Sequence, residues 1–197
     1  MLLYRKHIHS QKEFFAMIYQ PKEVLLKNNT IAIFRSPTKH DAAQMMEYLQ
    51  TTCKETHFLT REPEEAILLI EKEERFLDRI YQSKTDLMIA CEINGKIIGN
   101  CNLNRYTKLR MQHRAEVGIA ICKEFWGLGI GNYMFSELIR ISKELGIKQL
   151  ELEVIANNNR AIKLYEKFGF YTVGEKPNSL CLKDGTMLKE LSMIKVL

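Results

Sequence analysis

Apolar and polar positions recur along this chain with two different periods, and the switches between them mark its elements. Residues 24–26 and 31–34 are short apolar-rich runs on either side of Asn28-Asn29, a spacing that predicts a hairpin. Thr38 followed by Asp41 has the form of a capping box and opens a predicted helix to about residue 52. Pro63 opens a second predicted helix that runs to about residue 81. Residues 87–93 and 96–103 are strand-like around Asn94-Gly95, a strong hairpin signal. Residues 115–121 alternate, with Glu116, Gly118 and Ala120 on one face and Val117, Ile119 and Ile121 on the other. Met134, Leu138, Ile141 and Leu145 then recur at helical spacing. Strands at 149–155, 171–174 and 187–195 and a helix opening near Asn158 complete the order. No internal repeat interrupts it, and residues 1–20 precede the pattern as an extension, either an added helix or a free arm.

Between the strand at 115–121 and its following helix lies Phe125-Trp126-Gly127-Leu128-Gly129-Ile130-Gly131-Asn132. Alternating glycines let a turn curl with its amide hydrogens inward, because no side chain blocks a ligand's approach. The helix that follows adds orphan N–H groups and the positive end of its dipole. No acidic residue occupies the turn or the helix's first turn, so a phosphate or pyrophosphate suits it. A nucleoside-triphosphate P-loop is excluded, since it needs Gly-Lys-Ser/Thr where this chain has Gly131-Asn132-Tyr133. A dinucleotide fingerprint fits poorly, since its third glycine would fall at Asn132. The remaining alternative at this stage is a tight turn whose glycines only permit close packing.

Further along runs Asn157-Asn158-Asn159-Arg160-Ala161-Ile162-Lys163-Leu164-Tyr165-Glu166-Lys167-Phe168-Gly169-Phe170. This stretch resembles the second acyl-CoA motif of the GNAT superfamily of acyl-CoA-dependent N-acetyltransferases, through Asn158, Ala161, Tyr165, Gly169 and Phe170. The glycine turn resembles the family's first motif, Arg/Gln-x-x-Gly-x-Gly/Ala, with Gly129 and Gly131 in register and Trp126 where the family prefers Arg or Gln. The resemblance is sharp over residues 113–175 and looser from about 30 onward. It implies an α+β fold with a mixed, mostly antiparallel sheet of about six to seven strands flanked by about four helices. It implies one N-acetyltransferase domain over residues 21–197, with acetyl-CoA as acyl donor.

The same resemblance assigns roles. The pyrophosphate would lie on the backbone of Trp126, Gly127, Leu128, Gly129, Ile130 and Gly131. Pantetheine would pair with the strand at Ile119, Ala120 and Ile121 as a pseudo-strand. Asn158 would cap its helix, contact pantetheine, or both. Ala161 and Tyr165 would complete the donor site, with the Tyr165 phenol as general acid for the departing thiolate. Ala161, Leu164, Tyr165 and Phe168 also read as one buried helix face whatever the function. Glu116 is the candidate base, on the strand entering the turn; an exposed glutamate paired with Arg114 is the other reading of it. Lys123, Arg160, Lys163 and Lys167 are either phosphate contacts or solvated charges.

Composition narrows the partners. The chain of 197 residues carries a net charge of +5 with no basic stripe interleaved with aromatics, so nucleic acid is not an expected partner. No apolar run reaches membrane length, so no membrane partner is expected either. Cys53, Cys91, Cys101, Cys122 and Cys181 are scattered without metal-ligand spacing, which reads as reduced thiols in a cytoplasmic protein and no metal site. The expected function is acetyl transfer to a primary amine of a small molecule or peptide, by direct attack in a ternary complex. A sensor domain that binds acyl-CoA without turnover is the alternative. Residues 54–62 and 177–186 would shape the acceptor site, and the family's frequent dimers admit a homodimer.

Overall fold

The computed structural model describes residues 16–66 and 69–197. A hairpin of β1 (Lys22–Leu25) and β2 (Ile31–Arg35) leads into α1 (Ala42–Glu55) and α2 (Ile70–Tyr81). A long hairpin follows, β3 (Asp86–Ile93) with β4 (Lys96–Arg105), then β5 (Arg114–Ile121), α3 (Ile130–Glu144), β6 (Gln149–Ile155) and α4 (Asn159–Lys167). The chain closes with β7 (Tyr171–Cys181) and β8 (Met187–Val196). The strands form one sheet in the order β1-β2-β3-β4-β5-β6-β8-β7, antiparallel throughout except for β5 beside β6. The sheet thus has eight strands, rather than six to seven.

Each face of the sheet has its own core. On one side Leu103, Val117, Leu150 and Leu152 pack with Met134, Phe135 and Leu138 of α3 and with Tyr165 of α4. On the other, Met88, Ala90 and Ile97 pack with Met45 and Tyr48 of α1 and Leu77 and Ile80 of α2. Helix α1 begins where Asp41 accepts the Thr38 N–H at 2.7 Å and a two-point contact from Arg35 at 2.7 and 2.9 Å.

Two elements differ from the sequence expectation. Pro63 opens only a 3-10 turn at Pro63–Ala66, and Leu69 is extended (φ −69°, ψ 133°) before α2 begins. The run from Ala66 to Ile70 is apolar without a helical period, so no single face continues through it, and Leu69 stays exposed. Strand β7 continues well past Gly174, pairing with β8 to Cys181 across a register shift between Lys176 and Leu180. Pro177 and the positive φ of Asn178 (54°) sit in that irregular stretch, which an edge strand tolerates.

Residues 1–15 of the N-terminal extension lie outside the described residues. Residues 16–20 have no helical turn and pack with the domain: Tyr19 is buried, and its hydroxyl donates to Glu137 of α3 at 2.6 Å. Among the described residues no helix is long and apolar enough to cross a membrane.

The feature that positions the site is a divergence in the middle of the sheet. Parallel pairing of β5 with β6 covers only Arg114–Gln149, Ala115–Leu150 and Glu116–Glu151. Beyond Glu116 the two strands part, α3 having been inserted between them in the chain, and the gap opens into a cavity.

Candidate active site

The cavity has a volume of about 490 Å³ and is walled by both diverging strands, the glycine turn, α4 and the end of α1. Its strand wall follows from hydrogen-bond parity. The Cys122 N–H donates to Ile98 O on the β4 side at 2.9 Å. Main-chain groups of Ala120 and Gly118 therefore also face β4, while those of Val117, Ile119 and Ile121 face β6. Past Glu116 the β6 ladder is gone, so β5 presents an open edge of amide and carbonyl groups to the cavity.

The glycine turn supplies the next wall. Gly129 caps α3 in a left-handed conformation (φ 98°) that a side chain would strain. The first intrahelical bond runs from Tyr133 N to Gly129 O at 3.0 Å. The N–H groups of Ile130, Gly131 and Asn132 therefore precede the ladder, and no side chain caps them. No acidic residue lies in the first turn of α3. Helix α4 contrasts with it: Asn158 Oδ1 accepts the Ala161 N–H at 3.2 Å and closes that end. Gly131 is needed for close approach, since a Cβ there would meet Leu164 Cδ2 at 3.1 Å.

Tyr165 lies at the inner end. Its ring packs against Phe135 (centroids 5.2 Å apart) and Phe170 in the core. Its side chain also lines the cavity, where its hydroxyl has no hydrogen-bond partner among the described residues. Burial pushes its pKa up, so the phenol keeps its proton across the neutral range.

The structure gathers Ile119, Ala120, Ile121, Trp126, Gly127, Gly129, Ile130, Gly131, Asn158, Ala161 and Tyr165 around the one cavity. Three predicted residues fall outside its lining, among them Lys123, which is exposed and whose backbone N–H donates to Glu55 Oε2 at 2.7 Å. Leu128 turns away into the core, its carbonyl accepting the Lys27 N–H at 3.3 Å. Glu116 is exposed, in register with Asn104 and Glu151 at the last rung before the strands part. Arg114 pairs with Glu151 rather than with Glu116.

Other lining residues escaped the sequence reading. Glu153 lies one alternation beyond Glu151 on β6, on the same sheet face as Glu116. It accepts hydrogen bonds from Lys176 and from Ser192 Oγ, the latter at 3.2 Å. Burial pulls the Glu153 carboxyl up, but hydrogen bonds from Glu190 and Lys176 outweigh it and hold the group below the usual carboxylate range. Glu190 moves the other way, raised by burial, by its hydrogen bond with Glu153 and by the Glu153 charge. Lys27, from the β1–β2 turn, and Thr52 of α1 also reach the cavity, as do Glu55, Thr56, Phe58 and Leu59 from the predicted acceptor segment 54–62, whereas no residue of 177–186 lines it. One signal was available: the alternation that placed Glu116 also places Glu151 and Glu153 on one face of the next strand.

The cavity wall carries cations around the glycine turn (Lys27, Arg160, Lys167), a further one in Lys163, and the carboxylates of Glu55 and Glu153. An extended donor fits it, anionic at one end, with amides in the middle to pair with an open strand and a leaving group beside a protonated phenol. That combination defines an acyltransferase that takes its acyl group from acyl-CoA. Comparison with known proteins agrees: residues 43–170 match the profile of the acetyltransferase (GNAT) family. The chain belongs to that family. It is 27% identical over 110 residues to the L-amino acid N-acetyltransferase AaaT of Escherichia coli, covering 55% of this chain and 67% of that one. Other curated relatives are matched over 56% and 39% of their lengths. A GNAT-family acetyltransferase from Streptococcus pneumoniae superposes with a TM-score of 0.78 at 28% identity, over 84% of this chain and 99% of that one. The yncA protein of Salmonella typhimurium, solved with acetyl-CoA, shares the fold at a TM-score of 0.71 and 18% identity, over 83% and 92% of the two chains.

Proposed function

We propose that the protein moves an acetyl group from acetyl-CoA to a primary amine of a small molecule or peptide, by direct attack within a ternary complex. The observation that carries this reading is the Tyr165 hydroxyl, protonated and without a partner among the described residues, in the wall of the cavity opened by the separation of β5 and β6. The donor supplies an activated thioester. The open edge of β5 aligns its pantetheine arm, and the free N–H groups of α3 with the nearby cations hold its phosphates.

The acceptor must react as a free amine, having lost a proton if it enters as an ammonium. Its nitrogen lone pair forms the new C–N bond as the C–S bond breaks, and Tyr165 gives its proton to the departing sulfur. The proton lost by the amine passes to a carboxylate, directly or through water. Glu153, in the cavity wall, is placed for that duty, whereas Glu116, one alternation away, lies outside the lining; both side chains are exposed. The acceptor enters from the side of Thr52, Glu55 and Phe58, where the carboxylates favour an approaching ammonium. The name of AaaT makes L-amino acids the first acceptors to try. Five free thiols accord with a cytoplasmic setting, and a homodimer is part of this reading only through the family's habits.

The test follows thiol release from acetyl-CoA with and without a panel of amines, beside direct acetyl-CoA binding. Amine-dependent release establishes the transferase and begins to name the acceptor. Binding without release for any amine favours a sensor. Absence of binding overturns the assignment of the cavity.

A further inference from the structure

The wall of the cavity holds a contact that neither motif contains. Trp126 is half-buried, and its Nε1–H donates to Ile121 O at 2.7 Å, which fixes the indole against the open end of β5. The Arg160 guanidinium lies over that ring, its Cζ 4.6 Å from the centroid. The two residues come from different elements, the turn before α3 and the first turn of α4, and both line the cavity. Arg160 takes part in none of the ion pairs among the described residues. A guanidinium over an aromatic face uses its plane for that contact and leaves its edge N–H groups for an anion. The uncapped N–H groups at the start of α3 belong to the same turn as Trp126, with Gly127, Leu128 and Gly129 between them.

We propose that Arg160, held in place by Trp126, is a side chain that engages the phosphate groups of acyl-CoA. The proposal rests on the acyl-CoA reading of the cavity. By the family resemblance Trp126 stands where Arg or Gln is preferred, and an indole has no charge to offer there. It instead steadies a cation that arrives from α4. The indole N–H has a second effect: it occupies the Ile121 carbonyl, leaving those of Val117 and Ile119 as the cavity-facing carbonyls of β5 free to accept from a pantetheine amide. Trp126 is a positioning residue in this arrangement, and Arg160 is the contact.

The experiment measures binding of CoA and of pantetheine, which lacks the phosphates, to the full chain and three variants. Calorimetry serves for CoA and ligand-observed NMR for pantetheine. Arg160→Ala is expected to weaken CoA about tenfold and to leave pantetheine within about twofold, since only the charged end loses a partner. Trp126→Leu is expected to weaken CoA about threefold, and the double variant to add nothing beyond Arg160→Ala, the signature of two residues acting as one unit. CoA binding unchanged in Arg160→Ala overturns the proposal, as does equal weakening of pantetheine. Additive losses in the double variant overturn the positioning role of Trp126. Failure of the unaltered protein to bind CoA would instead overturn the reading of the cavity itself.

Discussion

Lys27 lies across Gly129. The Lys27 N–H donates to the carbonyl of the preceding Leu128 at 3.3 Å, and its aliphatic stem passes 3.9 Å from where a Cβ on Gly129 would stand. The tip of the first hairpin is thereby fastened to the glycine turn, and an ammonium is carried to the anion-binding end of the cavity.

Lys27→Ala should therefore raise the KM for acetyl-CoA about three- to tenfold at low ionic strength while kcat stays within about twofold, the pattern of a contact made equally in ground and transition states. The difference should shrink in molar salt, because an exposed charge is screened there. Steady-state kinetics at two salt concentrations check this. An unchanged KM would leave Lys27 as a cover for the turn and nothing more.

Tyr165→Phe separates catalysis from packing. The ring keeps its contacts with Phe135 and Phe170, and only an unpartnered hydroxyl is lost. Thermal stability should hold, because the ring contacts stay and the hydroxyl that is removed has no protein partner to lose. Acetyl-CoA should bind as before, while kcat falls about a hundredfold, the scale of one general acid. A variant that turns over at full rate would remove Tyr165 from the mechanism.

Why Tyr165 was legible in the sequence and Lys27 was not is a matter of distance along the chain. Asn158, Ala161 and Tyr165 lie within two turns of one helix, and Gly129 and Gly131 within one turn of another, so local spacing alone sets their relation. The hairpins were legible for the same reason, each having Asn-Asn or Asn-Gly between its strands. Lys27 reaches the glycine turn only after β1 and β2 have joined the far edge of the sheet. Arg160 meets Trp126 only because α3 and α4 pack side by side on one sheet face. Glu153 becomes a cavity residue only because the β5–β6 ladder stops at Glu116. The long β7 was hidden differently, by Pro177 and polar neighbours that would weaken a central strand but not an edge.

The stopping point of that ladder also bears on the proposed base. Glu116 is the last paired residue of β5 and lies outside the cavity lining, whereas Glu153, also exposed, lies past the fork and in the cavity wall. Glu153→Gln should lower kcat about a hundredfold with acetyl-CoA binding intact, and Glu116→Gln should stay within about threefold of the parent. Rapid-quench or steady-state thiol release on both variants makes the comparison. The reverse ranking would return the role to Glu116, as the strand alternation alone suggests.

The last expectation concerns stability rather than turnover. Glu73 takes a place on the inward face of α2, with Leu77 and Ile80 one and two turns on. It is only 3% exposed, and its Oε1 has no hydrogen-bond partner. Burial raises its pKa above the ordinary 4.5, against a smaller opposing effect from the Arg61 charge. Between the unfolded and folded pKa values the native state holds the extra proton. Stability then falls as pH rises from about 4.5 through the folded pKa, and levels off above it. Glu73→Met keeps the length of the side chain and removes the charge. It should be more stable than the parent by about 1–3 kcal/mol near neutral pH, the usual cost of a buried polar group without a partner. The advantage should narrow toward pH 4, where the parent carboxyl is protonated in both states. Urea unfolding of the two proteins across that range tests the sign directly. A Met variant less stable than the parent at neutral pH would mean that the Glu73 carboxylate makes a favourable interaction in solution.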